Sequence, residues 1–264
     1  MNSSLFVALA AALATPEIDQ KLALTAAIAS DWQADRLDWQ DATAVNLVCG
    51  RPPQPELVPP RQVPQRGAKS PEGRARLLHA IVHIEFSAIN LALDHAARFH
   101  GMPRQYYADW IGVAAEEAHH FTILRQRLRE LGHDYGDFAA HAGLWDMAEK
   151  TTGDVLARMA LVPRLLEARG LDATPPIRQK LAEAGDHASA SLLDIILHDE
   201  IGHVGLGDAW FRRLCGERNL EPEGTYRHLL TAFDAPRPQA PLNESARLAA
   251  GFTAGELAAL LEIE

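Results

Sequence analysis

Cysteine is nearly missing from this 264-residue sequence: Cys49 and Cys215 stand far apart, with no CxxC and no Cys/His ladder beside either. That excludes a disulfide framework and a thiolate metal site, and it fits a reducing, cytoplasmic setting. Positive charge is also scarce. Lys and Arg total 25 against 35 Asp and Glu, a formal net charge of -10. No broad nucleic-acid surface is expected, because such a surface needs clustered cations to displace phosphate counterions. One basic stretch, residues 51–76, holds Arg51, Arg61, Arg66, Lys69, Arg74 and Arg76 against Glu56 and Glu72, and it reads first as a solvated linker and second as a partner contact. No run offers the ~20 consecutive apolar residues of a membrane span. The apolar residues 5–14 lack a preceding Lys or Arg, and their pattern continues past Lys21, so they read as an amphipathic helix of a soluble fold rather than a secretory segment.

Alternating β-branched stretches are absent as well, and apolar residues instead recur at three- and four-residue spacing. The expected fold class is all-α: a four-helix bundle over residues 72–216, with an N-terminal helical extension (1–50), a proline-rich connector (51–71) and a C-terminal flap (217–264). Prolines at 52, 53, 55, 59, 60, 64 and 71 exclude both helix and central strand from the connector. The expected long helices cover about 72–99, 104–131, 145–169 and 189–214, the third being broken at Gly170 and Pro175-Pro176.

Two of these helices carry Glu-x-x-His: Glu117 with His120, and Glu200 with His203. Residues three apart lie on one helix face a turn from each other, so carboxylate and imidazole can reach one cation together. A second register, Glu116 with His119, competes on the same helix. Steps of three, four and seven from Glu117 meet Trp110, Val113, Ala114, Phe121 and Leu124, which makes its face the apolar one. A lone glutamate, Glu85, interrupts the apolar stripe of Leu78, Ile81, Val82, Ala88, Ile89 and Ala92. Its counterpart in the third helix is Glu167, with Glu149 and Asp154 behind it. Glu85 precedes Glu117 by 32 residues and Glu167 precedes Glu200 by 33, a repeat that favours Glu167. The candidate metal ligands are therefore Glu85, Glu117, His120, Glu167, Glu200 and His203. Bound cations are the usual remedy for several carboxylates buried together.

The segments HIE (83–85), EAHHF (117–121), RMALVPRLLEARG (158–170) and HDEIGHVG (198–205) resemble a bacterial ferritin-like family known as domain of unknown function 455. Within the wider superfamily the chain is similar to tRNA hydroxylases that oxidise a modified adenosine, and more distantly to rubrerythrin-type peroxidases. The resemblance implies a bundle with a di-metal site.

A mixed carboxylate and imidazole set suits two metal ions, iron first and manganese second. The expected function is a di-iron oxidoreductase, an O2-dependent oxidase or monooxygenase. Its partners would be O2, an electron donor and a small-molecule or modified-nucleotide substrate, with a homodimer left open. The alternatives are a ferroxidase or peroxide-scavenging rubrerythrin-like protein, and a non-catalytic helical adaptor in which Arg158 or Arg164 neutralises the carboxylates. His79 and His83 are expected at the surface or as caps. Asp194 is a candidate to hold a ligating imidazole's free N–H. Tyr106, Tyr107, Trp110, Trp145 and Trp210 are expected to pack in or near the core.

Overall fold

The computed structural model describes residues 3–40, 44–63 and 67–262, and it is all-α. Residues 64–66 of the connector, 1–2 and 41–43 of the N-terminal extension and 263–264 of the flap lie outside the described residues. The chain packs as two compact units, Met1–Gly143 and Leu144–Glu264.

In the first unit, α1 (Leu5–Ala14) and α2 (Ile18–Gln33) are separated by Thr15-Pro16-Glu17, and two short parallel strands, Ser3–Ser4 and Leu37–Asp38, pair beside them. The apolar side of α1 is buried through Leu5, Phe6, Leu9 and Leu13. Lys21 of α2 is also fully buried. Its ammonium donates to the carbonyls of Ala12 and Leu13 at the end of α1 (2.9 and 2.8 Å) and to Asn90 Oδ1 (2.7 Å), joining the N–H groups of Thr15 and Gly50 on carbonyls that have no donor within the helix.

The unit is built around an antiparallel hairpin of α3 (Pro71–Arg98) and α4 (Arg104–Glu130). Ser70 caps α3 by accepting from Gly73 N–H, and Pro71 takes the first helical position, where no N–H is needed. Tyr107 closes the turn: its hydroxyl accepts from Met102 N–H and donates to the Phe99 carbonyl. α3 is long and apolar enough to cross a membrane by length and composition alone, but its apolar window is 78% buried inside the protein, as a core helix's is. The connector runs extended past a 3-10 turn (Pro60–Gln62), and Leu57 bridges to Ala140.

The second unit departs from the expected uninterrupted third helix over 145–169. α5 (Gly143–Lys150) stops at Thr151-Thr152-Gly153, and Asp154 restarts the chain by capping α6 (Val155–Leu161). Arg158 stabilises the break, donating to Thr151 Oγ1 and to the Ala148 carbonyl. A π-helical segment, Val162–Glu167, follows, and α7 (Ala168–Glu183) leads through a short turn into α8 (His187–Glu217).

Gly170 and Pro175-Pro176 do not break α7, contrary to expectation. Pro175 deprives the Leu171 carbonyl of its helical donor, and Asn243 Nδ2 replaces it at 3.1 Å. α9 (Pro222–Ala232), α10 (Glu244–Ala249) and α11 (Ala254–Glu262) complete the unit. Trp110 and Trp210 are buried, as are Tyr106 and Tyr107, and Trp145 is half-buried.

Candidate metal centre

The apolar face of α4 is the buried one. Trp110, Val113, Ala114, Phe121 and Leu124 are core residues, and with them Glu117 and His120 are turned inward at 1% and 0% exposure, while Glu116 and His119 face solvent. Glu85 is buried on the facing helix α3. His120 Nδ1 lies 3.4 Å from Glu85 Oε2 and 3.5 Å from Glu117 Oε2. Each of the three residues offers a ligand atom, and these atoms fall within 4.8 Å of one another.

Burial alone would lower the proton affinity of His120. Hydrogen bonds to Glu117 and Glu85, together with their charges, outweigh it and push the imidazole up to about 11. Both ring nitrogens therefore hold protons, and the positive charge stands where a metal cation would otherwise balance two buried carboxylates. Two carboxylates and an imidazole, buried and convergent, are the donor set of a hard or borderline divalent ion. Phe86 and Phe121, each the next residue after a cluster member, lie 5.4 Å apart and both pack on Tyr135 at 5.3 Å, which fixes the spacing of α3 and α4 beside the cluster.

In the second unit, Glu200 and His203 repeat the pattern on α8. They are largely buried, with His203 Nδ1 3.7 Å from Glu200 Oε1. Glu167 is the last residue of the π-helix, half-buried, on a segment that packs against α8. The residues held in reserve for it have other work: Glu149 is exposed and accepts from the Trp145 indole, and Asp154 caps α6 and pairs with Arg218.

The profile of the family described as "Protein of unknown function (DUF455)" matches residues 14–258. The chain belongs to DUF455. A relative from Haemophilus influenzae, described as an uncharacterized protein, is 45% identical over 234 residues, which cover 86% of this chain and 81% of that one. No solved structure matches.

Three side-chain expectations for this DUF455 chain need correction. His79 is buried, not at the surface: its Nε2 accepts from Gly136 N–H, and its ring stacks on Tyr135. His83, half-buried, bridges the Tyr135 hydroxyl and the His141 carbonyl, so His79 and His83 both hold the loop after α4. Asp194 is paired with Arg178 at the surface and not with an imidazole.

The sequence names Arg164 as a counter-ion for buried carboxylates but not its partners, which form the second unit's main charged network. Arg164, fully buried in the π-helix, pairs with Asp208 of α8 (2.6 Å) and Glu256 of α11 (2.5 Å). Its guanidinium lies 4.1, 4.5 and 5.2 Å from the ring centres of Tyr226, Phe252 and Phe211. A fully apolar run around a lone Arg, Leu161-Val162-Pro163-Arg164-Leu165-Leu166, was the signal available for it.

Proposed function

We propose that Glu85, Glu117 and His120, with Glu167, Glu200 and His203, form the two ligand sets of a binuclear metal centre in a ferritin-like bundle, and that the protein is an O2-dependent oxidase or monooxygenase of cytoplasmic location. The observation that carries the reading is the buried cluster in which His120 Nδ1 faces a carboxylate oxygen from each of two helices.

Charge supports the count of two. Four carboxylates balance two divalent ions, and two neutral imidazoles complete the set without adding charge. Iron is the first choice and manganese the second: bound as a ferrous pair, iron supplies the electrons that O2 takes up. The chain's own residues have three tasks in this scheme. Glu85 and Glu117 neutralise a cation within the α3–α4 hairpin. His120 must release its proton for metal to enter, so uptake liberates acid. The Phe86–Phe121–Tyr135 cluster keeps water from the hairpin side. The partners this implies are O2, an electron donor and an organic substrate.

An anaerobic Fe(II) titration followed by exposure to O2 tests the reading. Two equivalents bound per chain, then an optical change on oxidation, is the expected result. A purified chain that retains neither iron nor manganese, or a ferrous form inert to O2, removes it. Ferric iron accumulating without turnover of any reductant would move the assignment to a ferroxidase.

A further inference from the structure

A π-helix has poorer hydrogen-bond geometry than an α-helix and persists where its surroundings over-determine it. In the second unit those surroundings come in large part from the C-terminal segment. Glu256 of α11 accepts from Arg164 Nη2, and the same carboxylate accepts from Arg212 (2.7 Å) and from Thr253 N–H (2.8 Å), so its position is fixed from three sides. On the other side of the π-helix, Arg247 of α10 donates to the Ala168 carbonyl (3.3 Å) and pairs with Asp172 (2.6 and 2.9 Å). Asn243 adds its backbone N–H to Asp172 and its side-chain amide to the Leu171 carbonyl. Residues 243–256 thus grip the chain three residues before Glu167 and again one, four and five residues after it. The floor of this grip is α8, where Gly207 lets Pro163 approach to a distance no side chain would allow.

We infer that the C-terminal segment is a clamp that sets the orientation of Glu167, with Glu256, Arg247 and Asn243 as positioning residues. The inference rests on the metal reading, because orientation of Glu167 matters to function only if that carboxylate binds metal. Carboxylate ligands depend on such outer partners, whose loss weakens metal binding while leaving the ligand itself in the chain. The aromatic rings around Arg164 belong to the same device: they take the guanidinium's faces while Asp208 and Glu256 take its edge.

The test uses the full chain and Co(II), whose visible absorption reports its ligands. Five proteins are compared: wild type, Glu256→Gln, Asn243→Ala, Glu167→Gln and the double variant Glu167→Gln with Glu256→Gln. In the metal-free state, amide exchange at residues 162–168 should quicken in Glu256→Gln and Asn243→Ala and stay unchanged in α1. In Co(II) titrations the same two variants should lose about tenfold or more in affinity for one of two equivalents and keep the other. Adding Glu256→Gln to Glu167→Gln should cause no further loss, since the clamp acts on metal only through that carboxylate.

Variants that melt lower yet bind Co(II) as the wild type does, or losses that add to that of Glu167→Gln, overturn the clamp and leave the metal reading standing. A wild type that takes up no Co(II) overturns both. Should Glu256→Gln fail to fold, Asn243→Ala, which removes one side-chain hydrogen bond to α7 and the N-cap of α10 while keeping the backbone bond to Asp172, decides the matter alone.

Discussion

Gly207 of α8 lies so close to Pro163 of the π-helix that a Cβ built on it would stand 2.5 Å from the proline Cβ and 2.7 Å from its Cγ. Real side chains do not approach so closely, and the partner here is a rigid ring. Gly207→Ala should therefore force α8 and the π-helix apart, at a cost of about 1–3 kcal/mol. Gly216, on the same helix, has nothing within 4 Å of the equivalent point, and Gly216→Ala should stabilise by up to ~1 kcal/mol. Paired denaturant unfolding curves check both signs at once.

The two Glu-x-x-His registers of α4 give a control within one helix. Glu117→Gln removes a buried carboxylate beside His120 and should reduce bound metal, measured by elemental analysis after loading and desalting. Glu116→Gln changes an exposed residue and should leave metal content unaltered. Chelation should lower the melting temperature of the wild type and not that of Glu117→Gln combined with Glu200→Gln, because a ligand that binds the folded state alone raises its stability.

Acid should act through Asp134. Partial burial would raise its carboxyl, but hydrogen bonds from Arg125, Arg129 and its neighbouring backbone outweigh this and bring it down to about 2. A carboxyl depressed on folding stabilises above its unfolded value near 4, and that stability fades as pH falls towards 2. In Asp134→Asn the slope of unfolding free energy against pH should be shallower between about pH 4 and 2. The residue is more than a third exposed, so the change in slope should shrink at high salt.

Lys21 gives a dependence of the same sign at the alkaline end of the range. Burial lowers its ammonium to about 8, with Cys49 acting weakly the other way. The folded chain then sheds this proton before the unfolded one does, so the charged form costs stability below pH 8 and the cost disappears as pH rises towards about 10.5. The difference in stability between wild type and Lys21→Met should grow in favour of the wild type over that interval, measured by chemical unfolding at several pH values.

The α3–α4 hairpin was legible because its signals are local: Ser70-Pro71 at the start, Gly101 in the turn, and an apolar stripe at helical spacing that singles out the face of Glu117 from that of Glu116. The second unit was harder to read. Thr151-Thr152-Gly153 interrupts the third helix where no proline warns of it, while Pro175-Pro176, which do warn, sit inside a continuous one. The reason lies in partners far along the chain. Asn243 rescues the Leu171 carbonyl from 72 residues away, and Glu256 meets Arg164 across 92. Spacing patterns report which face of a helix is apolar and carry no information about donors that arrive from so far along the sequence. His79 failed for a related reason: its partner is a backbone N–H in the loop after α4, which no side-chain pattern encodes.

Because α4 carries the same four-residue signature twice, one residue out of phase, a single-residue deletion between Arg104 and Glu116 would leave every letter of Glu-x-x-His in place. It would also turn the inward pair by about 100° relative to the start of the helix. Homologues aligned on the motif alone would then look intact while their cores had lost both donors, so indel phase in this helix tells functional from decayed copies better than motif identity does.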